Sequence, residues 1–511
     1  MKVLETLITE YLAGIAPGMF MRQYIVIICI FLFGALICDS LCNEKKPALY
    51  RTILAFPTGI ATFSVTAYAM LAFGVPYNRV TVIAAILTET AVVLVFGRKK
   101  TAAFFLRHSY KNMLVALSAV LVTAAFATSG LAPVSVSNDS MYFFRRYPDC
   151  IVYYGGLRDQ FDFWMTDTGL GIVSVDTLPA LFGFAESFGI REFFHINFIA
   201  FFATCVYKRA KEHISGTGAV VSTVIITAFL MCATPFVILG HWALANMYFM
   251  EMFFIAAYAA FDHYEDSISL IPILLVALAF FRIEGAIFVV WLVLCLSVFK
   301  DFGKKLALFV LLPILILFGR YCMRLFMQYN ILDDIYLFLT PQKALLILLL
   351  IVTCGIWTVF IQKKLPNKIS RFIPLLYILV LIAGNGVLFV KDSGLYTGNL
   401  KAFYANLFRQ SGWGMFPYFV ICMTILLIIE FAILHKKKTV SIDRSNLFNI
   451  MTVTGFLLIV FAASFGRGDI LMEDVTDSGN RVFLQIVPLV VMTYGELFML
   501  LYDVCVRTER N

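Results

Sequence analysis

Asp139 has the most favourable setting for chemistry of the acidic residues in this chain. It stands in the triplet Asn138-Asp139-Ser140, shortly after an apolar run that ends near Leu131. A carboxylate just outside a membrane span can meet a lipid-linked substrate and a water-borne acceptor, and it can act as a general base toward an acceptor hydroxyl. The alternative is structural, because Asp and Ser commonly begin helices. The residue types leave both interpretations open.

The same polar segment, from Ser137 to Glu192, contains a second stretch with chemical potential, Trp164-Met-Thr-Asp167-Thr-Gly-Leu-Gly171. Trp164 offers an aromatic platform, and Asp167 could orient a sugar hydroxyl or serve as a second acid. The alternative is a turn in which Asp and Gly take their usual places. The stretch is not a GxGxxG motif, and no nucleotide fingerprint follows it.

Arg282 and Glu284 interrupt what would otherwise be one long apolar segment. The runs on either side, 269–281 and 285–299, are too short to cross a bilayer alone, so we expect a broken hairpin whose polar tip faces protein or water. Charges at membrane depth are functional by default, and Arg holds phosphate through a fixed fork of donors. The alternative is an internal Arg–Glu pair that only anchors the hairpin.

Three more side chains are candidates for binding substrate. Arg467 and Arg481 flank an acidic loop, where they could contact phosphate or form salt bridges with the acids of that loop. His241, followed by Trp242, could hydrogen-bond a sugar, or the two could anchor a helix at the membrane interface. The loop acids could bind a divalent cation, but their spacing fits no standard calcium loop. The sequence therefore predicts no metal and no cofactor.

The composition identifies a membrane protein. Of 511 residues, 61% are hydrophobic and 14% are charged, whereas soluble proteins carry roughly a quarter of charged residues. Apolar runs of about 20 residues without alternation favour helices over a barrel. The net charge of +8 does not indicate nucleic acid, because a basic excess in membrane proteins collects in cytoplasmic loops. The cysteines form no CxxC or His/Cys cluster, so neither zinc nor a disulfide framework is expected.

The fold-class prediction is therefore an all-α polytopic membrane protein with about 15 transmembrane helices and a mixed external loop region. The clusters of Lys and Arg fall on one face of this topology, which makes that face cytoplasmic. The large loop is then external and the C-terminus cytoplasmic. The predicted spans are 24–42, 51–73, 79–97, 112–131, 193–207, 217–239, 244–262, 269–281, 285–299, 304–322, 342–362, 371–390, 416–435, 446–465 and 482–503.

The chain is divided into three parts by these spans and loops. Residues 1–111 hold an N-terminal amphipathic segment and three spans that precede the core. Residues 112–322 form the core with its large external loop, 132–192. Residues 323–511 hold the C-terminal spans, with external loops at 391–415 and 466–481.

The pattern resembles the GT-C superfamily of polyprenyl-phosphate-sugar-dependent glycosyltransferases, most closely over residues 112–322. The resemblance implies a GT-C-like core and a catalytic role for Asp139, which would deprotonate the acceptor while the sugar leaves a lipid phosphate. It also implies that Arg282 and Arg481 hold that phosphate. The segments that carry it are Asn138-Asp139-Ser140, Trp164 to Gly171, His241 to Asn246, Arg282 to Gly285, and Gly479-Asn480-Arg481 with Pro488.

The expected activity is transfer of a hexose or pentose from the lipid-linked donor to a glycan, lipid or protein acceptor, outside a bacterial plasma membrane during construction of the cell envelope. One alternative is a glycan polymerase or ligase of the O-antigen type, which also has many spans and arginine-bearing external loops. The other is a polysaccharide or lipid transporter or flippase, which predicts charges distributed through the spans. The absence of an internal sequence repeat argues against a duplicated transporter.

Overall fold

The computed structural model describes most of the chain as helix. The described residues are 17–41, 48–96, 147–157, 169–183, 190–214, 216–233, 235–236, 245–262, 270–299, 303–328, 339–366, 372–409, 413–436, 444–466, 468, 470–471 and 478–510. No strand occurs within these ranges, which agrees with the all-α prediction. Every predicted span except 112–131, which lies outside the described ranges, overlaps a helix.

The chain divides into two compact units, and the first contains residues Met1–Phe201, His241–Val290 and Lys304–Ile356. A central helix, α2, packs against α1, α5, α9 and α11 in this unit. The helices are α1 (Pro17–Leu41), α2 (Ala48–Phe73), α3 (Arg79–Phe96), α4 (Tyr147–Tyr154), α5 (Leu170–Leu181), α6 (Ile190–His213), α7 (Thr217–Met231), α8 (Ala245–Asp262), α9 (Ile271–Phe281), α10 (Gly285–Phe299), α11 (Gly303–Leu306, Ala307–Leu311, Leu312–Met323 and Arg324–Gln328, consecutive) and α12 (Pro341–Ile356). Of these, α7 belongs to the second unit, and α6, α10 and the first residue of α11 extend into it as well.

The second unit contains Phe202–Gly240, Trp291–Gly303 and Trp357–Asn511. Within it α16 packs against α13, α14, α17 and α18, and α18 also packs against α7 and α15. The close approach of α16 is possible at Gly455, where a Cβ would lie 2.0 Å from the ring of Trp291. The remaining helices are α13 (Ile373–Lys391), α14 (Ser393–Phe408), α15 (Phe416–Lys436), α16 (Arg444–Phe465), α17 (Ser478–Leu484) and α18 (Val487–Arg510).

Seven helices among the described residues are long and apolar enough to cross a membrane. This supports a membrane protein, while the count of about 15 spans and the face on which each loop lies stay predictions. Helix α5 has 12 residues and α9 has 11, so at 1.5 Å per residue each is well short of a hydrocarbon core of about 30 Å. The seven are Tyr50–Phe73, Lys304–Met327, Pro341–Ile361, Ile373–Lys391, Phe416–Ile433, Arg444–Phe465 and Val487–Cys505.

Helices α1 and α2 form a tight pair through two glycines. A Cβ at Gly34 would lie 1.8 Å from the carbonyl oxygen of Ala55, and one at Gly59 would lie 2.3 Å from the carbonyl oxygen of Ile30. Small residues at such positions let two helix backbones approach closely, as is usual between membrane helices. The pair holds α2 in place, and α2 in turn supports α5 and α9.

Replacing Gly34 with Val should force α1 away from α2, because the new side chain would overlap the α2 backbone. Overpacking of this kind costs about 1–3 kcal/mol. The measurement is the temperature at which the detergent-solubilised chain loses its monodisperse peak in size-exclusion chromatography. The control is Gly384→Val in α13, where a Cβ meets no heavy atom within 4 Å. Equal losses in the two variants would contradict the tight contact.

Candidate functional site

The described structure includes three of the eight predicted site residues. Arg282 and Glu284 lie together at the end of α9 in the first unit, and Arg481 lies on α17 in the second. Arg481 is partly exposed, and its helix packs on α14 and α16. The other five, whose roles stay predictions, lie outside the described residues: Asp139, Trp164, Asp167, His241 and Arg467.

The hairpin predicted around Arg282 is present. Helix α9 ends at Phe281, Arg282 has an extended backbone (φ −141°, ψ 158°), and α10 begins at Gly285. The amide of Gly285 donates to the carbonyl of Arg282 at 2.9 Å. Only glycine fits at 285, because a Cβ would lie 2.5 Å from the carbonyl oxygen of Leu278. The break therefore arises where the charged residues interrupt the apolar run.

Arg282 and Glu284 form an ion pair through Nε of the guanidinium. The structural alternative, an internal Arg–Glu pair, is thus realised. The two side chains are 17% and 13% exposed, so solvent reaches both. Among the described residues, no hydrogen bond involves the two terminal nitrogens of Arg282. The forked end of the guanidinium can therefore receive an anion without loss of the Glu284 contact.

The glycines of the second polar stretch lie directly on this hairpin. Gly169 has φ +129°, and a Cβ there would lie 2.0 Å from the carbonyl oxygen of Phe281 and 2.9 Å from Cα of Arg282. A Cβ at Gly171 would lie 2.6 Å from the carbonyl oxygen of Phe280. The two glycines therefore do more than form a turn, since they allow backbone-to-backbone contact. Two stretches about 110 residues apart in the sequence meet at this point.

Helix α5 is held against α2 and α3 along its length. Ser64 Oγ donates to the carbonyl oxygen of Gly171 at 2.9 Å, and the hydroxyls of Tyr77 and Thr177 share a hydrogen bond of 2.6 Å. Arg79 Nε donates to the last carbonyl of α5 at 2.6 Å. Burial raises the pKa of Tyr77, against a smaller opposing effect of its bond to Thr177, so the phenol stays protonated. The bond from Ser64 holds the end of α5 that touches the hairpin, and the other two hold its middle and its far end.

A buried ion pair joins α5 to α6. Arg191 Nη2 donates to Asp176 Oδ2, and the two residues are 8% and 4% exposed. Burial raises the pKa of Asp176 to about 6, while the charge and hydrogen bond of Arg191 act in the opposite direction. The guanidinium of Arg191 thus favours the ionised carboxylate against the effect of burial. The Arg191 guanidinium also lies over the Tyr248 ring, 5.3 Å from its centroid, and the Tyr248 ring meets that of Phe281 edge-on at 6.5 Å.

A second pair, His195 with Glu251, lies one helical turn further along α6. Nδ1 of His195 is 2.5 Å from Oε1 of Glu251. The Glu251 side chain is 2% exposed, whereas that of His195 is 25% exposed. The carboxylate is thus enclosed, whereas the imidazole is partly exposed. Among the described residues, no group of three or more His, Cys, Asp or Glu could hold a metal ion.

Sequence reasoning missed these two pairs. Arg191 and Asp176 lie within the polar segment 137–192, which contains several acids, and Glu251 lies within the predicted span 244–262. A signal was present: Arg191 and His195 are four apart on one helix, and Tyr248 and Glu251 are three apart on another, so each set lies on one helix face. Nothing in the sequence indicates that these two faces meet.

No family model, curated protein or solved structure matches the chain. The functional argument therefore proceeds from the residues and their geometry. Three observations bear on it: the Arg282–Glu284 tip, the glycine contact that joins α5 to this tip, and the pairs that join α6 to α5 and to α8.

Gly169→Ala should destabilise the chain more than Gly183→Ala. Both glycines have positive φ, +129° and +83°, so both variants carry backbone strain of about 1–2 kcal/mol. Only position 169 adds a clash, because a Cβ at 183 meets nothing within 4 Å. The free energy of unfolding in an SDS titration of mixed micelles measures the difference. Equal free energies of unfolding for the two variants would mean that the backbone at Gly169 is not in close contact with the hairpin.

Asp176→Ala should cost about 3–5 kcal/mol of unfolding free energy, since it leaves the Arg191 guanidinium buried without its carboxylate. The double variant Asp176→Leu/Arg191→Met should regain most of this loss, because neither charge remains. Glu212→Ala is the control: its carboxylate is 43% exposed beside Arg209, and such surface pairs contribute below about 1 kcal/mol. A double variant as unstable as the single one would refute the pairing argument.

Proposed function

We propose that this chain is a membrane glycosyltransferase that moves a sugar from a polyprenyl-phosphate donor to a glycan, lipid or protein acceptor on the external face of the plasma membrane. The observation that supports this most is the contact of Gly169 with Arg282. It joins two of the segments on which the resemblance rests. Asp167 and Trp164, the candidates for holding the sugars in the same segment, precede Gly169 by two and five residues in the sequence.

The hairpin tip is suited to a lipid phosphate. Arg282 follows the C-terminus of α9 and Glu284 precedes the N-terminus of α10, so each charge is favoured by the helix dipole beside it. A phosphate bound at the guanidinium fork would also meet the positive end of α10. In this proposal Glu284, bound to Nε of Arg282, holds the guanidinium in place. Arg467 and Arg481 are the further candidates for the phosphate.

The reaction needs few groups. The leaving group is a phosphate monoester, so positioning, a base and stabilisation of the phosphate charge suffice. The resemblance assigns the acid that faces the acceptor hydroxyl to Asp139. Trp164, Asp167 and His241 are the candidates for holding the sugars. No nucleotide takes part, in keeping with the lack of a nucleotide fingerprint in the sequence.

A transporter or flippase is the second candidate, and one observation favours it. Charged pairs occur inside the helices as well as in loops, among them His195–Glu251 and Arg209–Glu496. Ionisable residues within membrane helices are frequent in proton and substrate pathways. Movement of a lipid-linked sugar across liposomes without any covalent product would favour this function. A polymerase or ligase would instead join long glycan chains.

Asp139→Asn should reduce sugar transfer by about 10²–10⁴-fold if Asp139 assists proton removal, with unchanged amounts of protein in the membrane. The assay uses the full chain in liposomes with a panel of radiolabelled polyprenyl-phosphate hexoses and pentoses, and it follows label into acceptor glycolipid and release of polyprenyl phosphate. Asp149→Asn, an exposed acid on α4 of the same loop, is the matched control. A fully active Asp139→Asn variant would refute the assignment.

A further inference from the structure

Glu89 is an acidic residue in the interior of α3, a helix whose outer face is apolar. Val80, Leu87 and Val95 on that face are 76%, 62% and 58% exposed, as expected for a helix that contacts lipid. Helix α3 coincides with the predicted span 79–97, and Glu89 is at least seven residues, or about 10 Å, from either end of the helix. An acid at such a depth is costly and is a functional candidate by default.

The Thr66 hydroxyl on α2 has two acceptors but a single hydrogen. Its Oγ1 lies 3.0 Å from the carbonyl oxygen of Thr62 and also within hydrogen-bonding distance of Oε1 of Glu89. A hydroxyl donates once but can accept as well. If Glu89 were ionised, one of these two oxygens would face Thr66 without a hydrogen between them. If Oε1 carries a proton, Glu89 donates to Thr66 and Thr66 donates to Thr62, so both contacts are hydrogen bonds.

The other threonine hydroxyls near Glu89 are bonded within their own helices. Thr88 and Thr90 each donate to the carbonyl four residues earlier on α3, at 2.8 and 2.7 Å. Thr62 donates in the same way on α2, at 2.8 Å. Oε2 of Glu89 is buried and has no hydrogen-bond partner among the described residues. A neutral carbonyl oxygen in that position costs much less than an ionised carboxylate would.

No ion pair joins Glu89 to a described residue of α1 or α2, the two helices on which α3 packs. Arg51 on α2 pairs with Asp39 on α1 at 3.0 Å, and it lies 15 residues, or about 22 Å along the helix, from Thr66. The side chain of Arg22 lies outside the described part of α1, so the test below includes it. The charged and titratable residues of the two helices are Arg22, Tyr24, Cys29, Cys38, Asp39, Tyr50, Arg51 and Tyr68.

We propose that Glu89 is a proton-binding site within the membrane, a neutral carboxylic acid whose Oε1–H donates to Thr66 and joins α3 to α2. Release of the proton would leave a negative charge beside a hydroxyl whose hydrogen is already bonded to Thr62. The proton therefore leaves only when water or a base reaches Oε1 and takes it. The site does not depend on the proposed glycosyltransferase activity, and acids of this kind serve proton relays in transporters.

The first test detects the acid by infrared spectroscopy of the full chain in liposomes at neutral pH. The difference spectrum between the wild type and Glu89→Gln should contain the carbonyl band of a protonated carboxylic acid. Glutamine keeps a donor for Thr66, so this variant should fold. The control is Glu212→Gln, which removes an exposed carboxylate and should give no such band. Thr66→Val should shift the Glu89 band, because the acid loses its acceptor, whereas Thr66→Ser should leave it in place.

The second test uses dicyclohexylcarbodiimide, a lipid-soluble reagent that adds to protonated carboxyl groups. The acid proton moves to a nitrogen of the reagent, and the carboxyl oxygen bonds to its central carbon. Peptide mass spectrometry should find Glu89 modified. Asp176 and Glu496 should stay unmodified, because Arg191 and Arg209 favour their ionised forms. Sodium chloride in place of choline chloride should leave the labelling of Glu89 unchanged.

Four outcomes would overturn the proposal. A carboxylate band in place of the acid band for Glu89 would show that the residue is ionised. An acid band that appears only in Arg22→Gln would identify Arg22 as its counter-ion. Protection from the label by sodium would show a sodium site, and an unlabelled Glu89 beside labelled Asp176 would show that burial alone decides the reaction. Neither test measures sugar transfer, so failure of the proposed function leaves this inference intact.

Discussion

The close approach of α5 to the end of α9 is the constraint on which the first unit depends. A helix that stops inside an apolar assembly leaves its last carbonyl groups without helical partners, and such ends are tolerated only when protein or water covers them. Here the backbone at Gly169 and Gly171 covers the carbonyls of Phe280 and Phe281. A side chain at either glycine would separate the two segments. The shape of the hairpin tip is therefore set by residues far away in sequence.

The surrounding contacts follow from that constraint. Helix α5 must be held firmly for its first turn to press on α9, and hydrogen bonds from Ser64, Tyr77 and Arg79 hold it from one side. The Arg191–Asp176 pair holds it from the other side, through α6. Because a buried ion pair is costly to break from one side, this link resists displacement of α5. The pair also turns the face of α6 that carries Arg191 and His195 toward α5.

Sequence patterns predicted the helices better than their contacts. The apolar runs predicted helices because a helix satisfies its own backbone in lipid and the runs lack the alternation of barrel strands. The break at Arg282 followed from two charges in an apolar run. The partner of Arg191 could not be predicted, since its loop contains several acids and the choice of Asp176 depends on how α5 packs. The pairing of His195 with Glu251 spans 56 residues and depends on the register of two helices. Gly169 and Gly171 were predicted as turn residues, and their close approach to α9 depends on how two distant segments pack.

The ion pairs of the first unit differ in how much of their side chains is exposed. In Arg191–Asp176 the side chains are 9% and 1% exposed, so the charges neutralise each other out of reach of a solute. In Arg282–Glu284 both partners are reached by solvent, and in His195–Glu251 only the imidazole is. An anion can compete for a partly exposed guanidinium, but it cannot reach the closed pair without unfolding α5. The closed pair then has a positioning role, because the first turn of α5 covers the hairpin only while Arg191 holds Asp176.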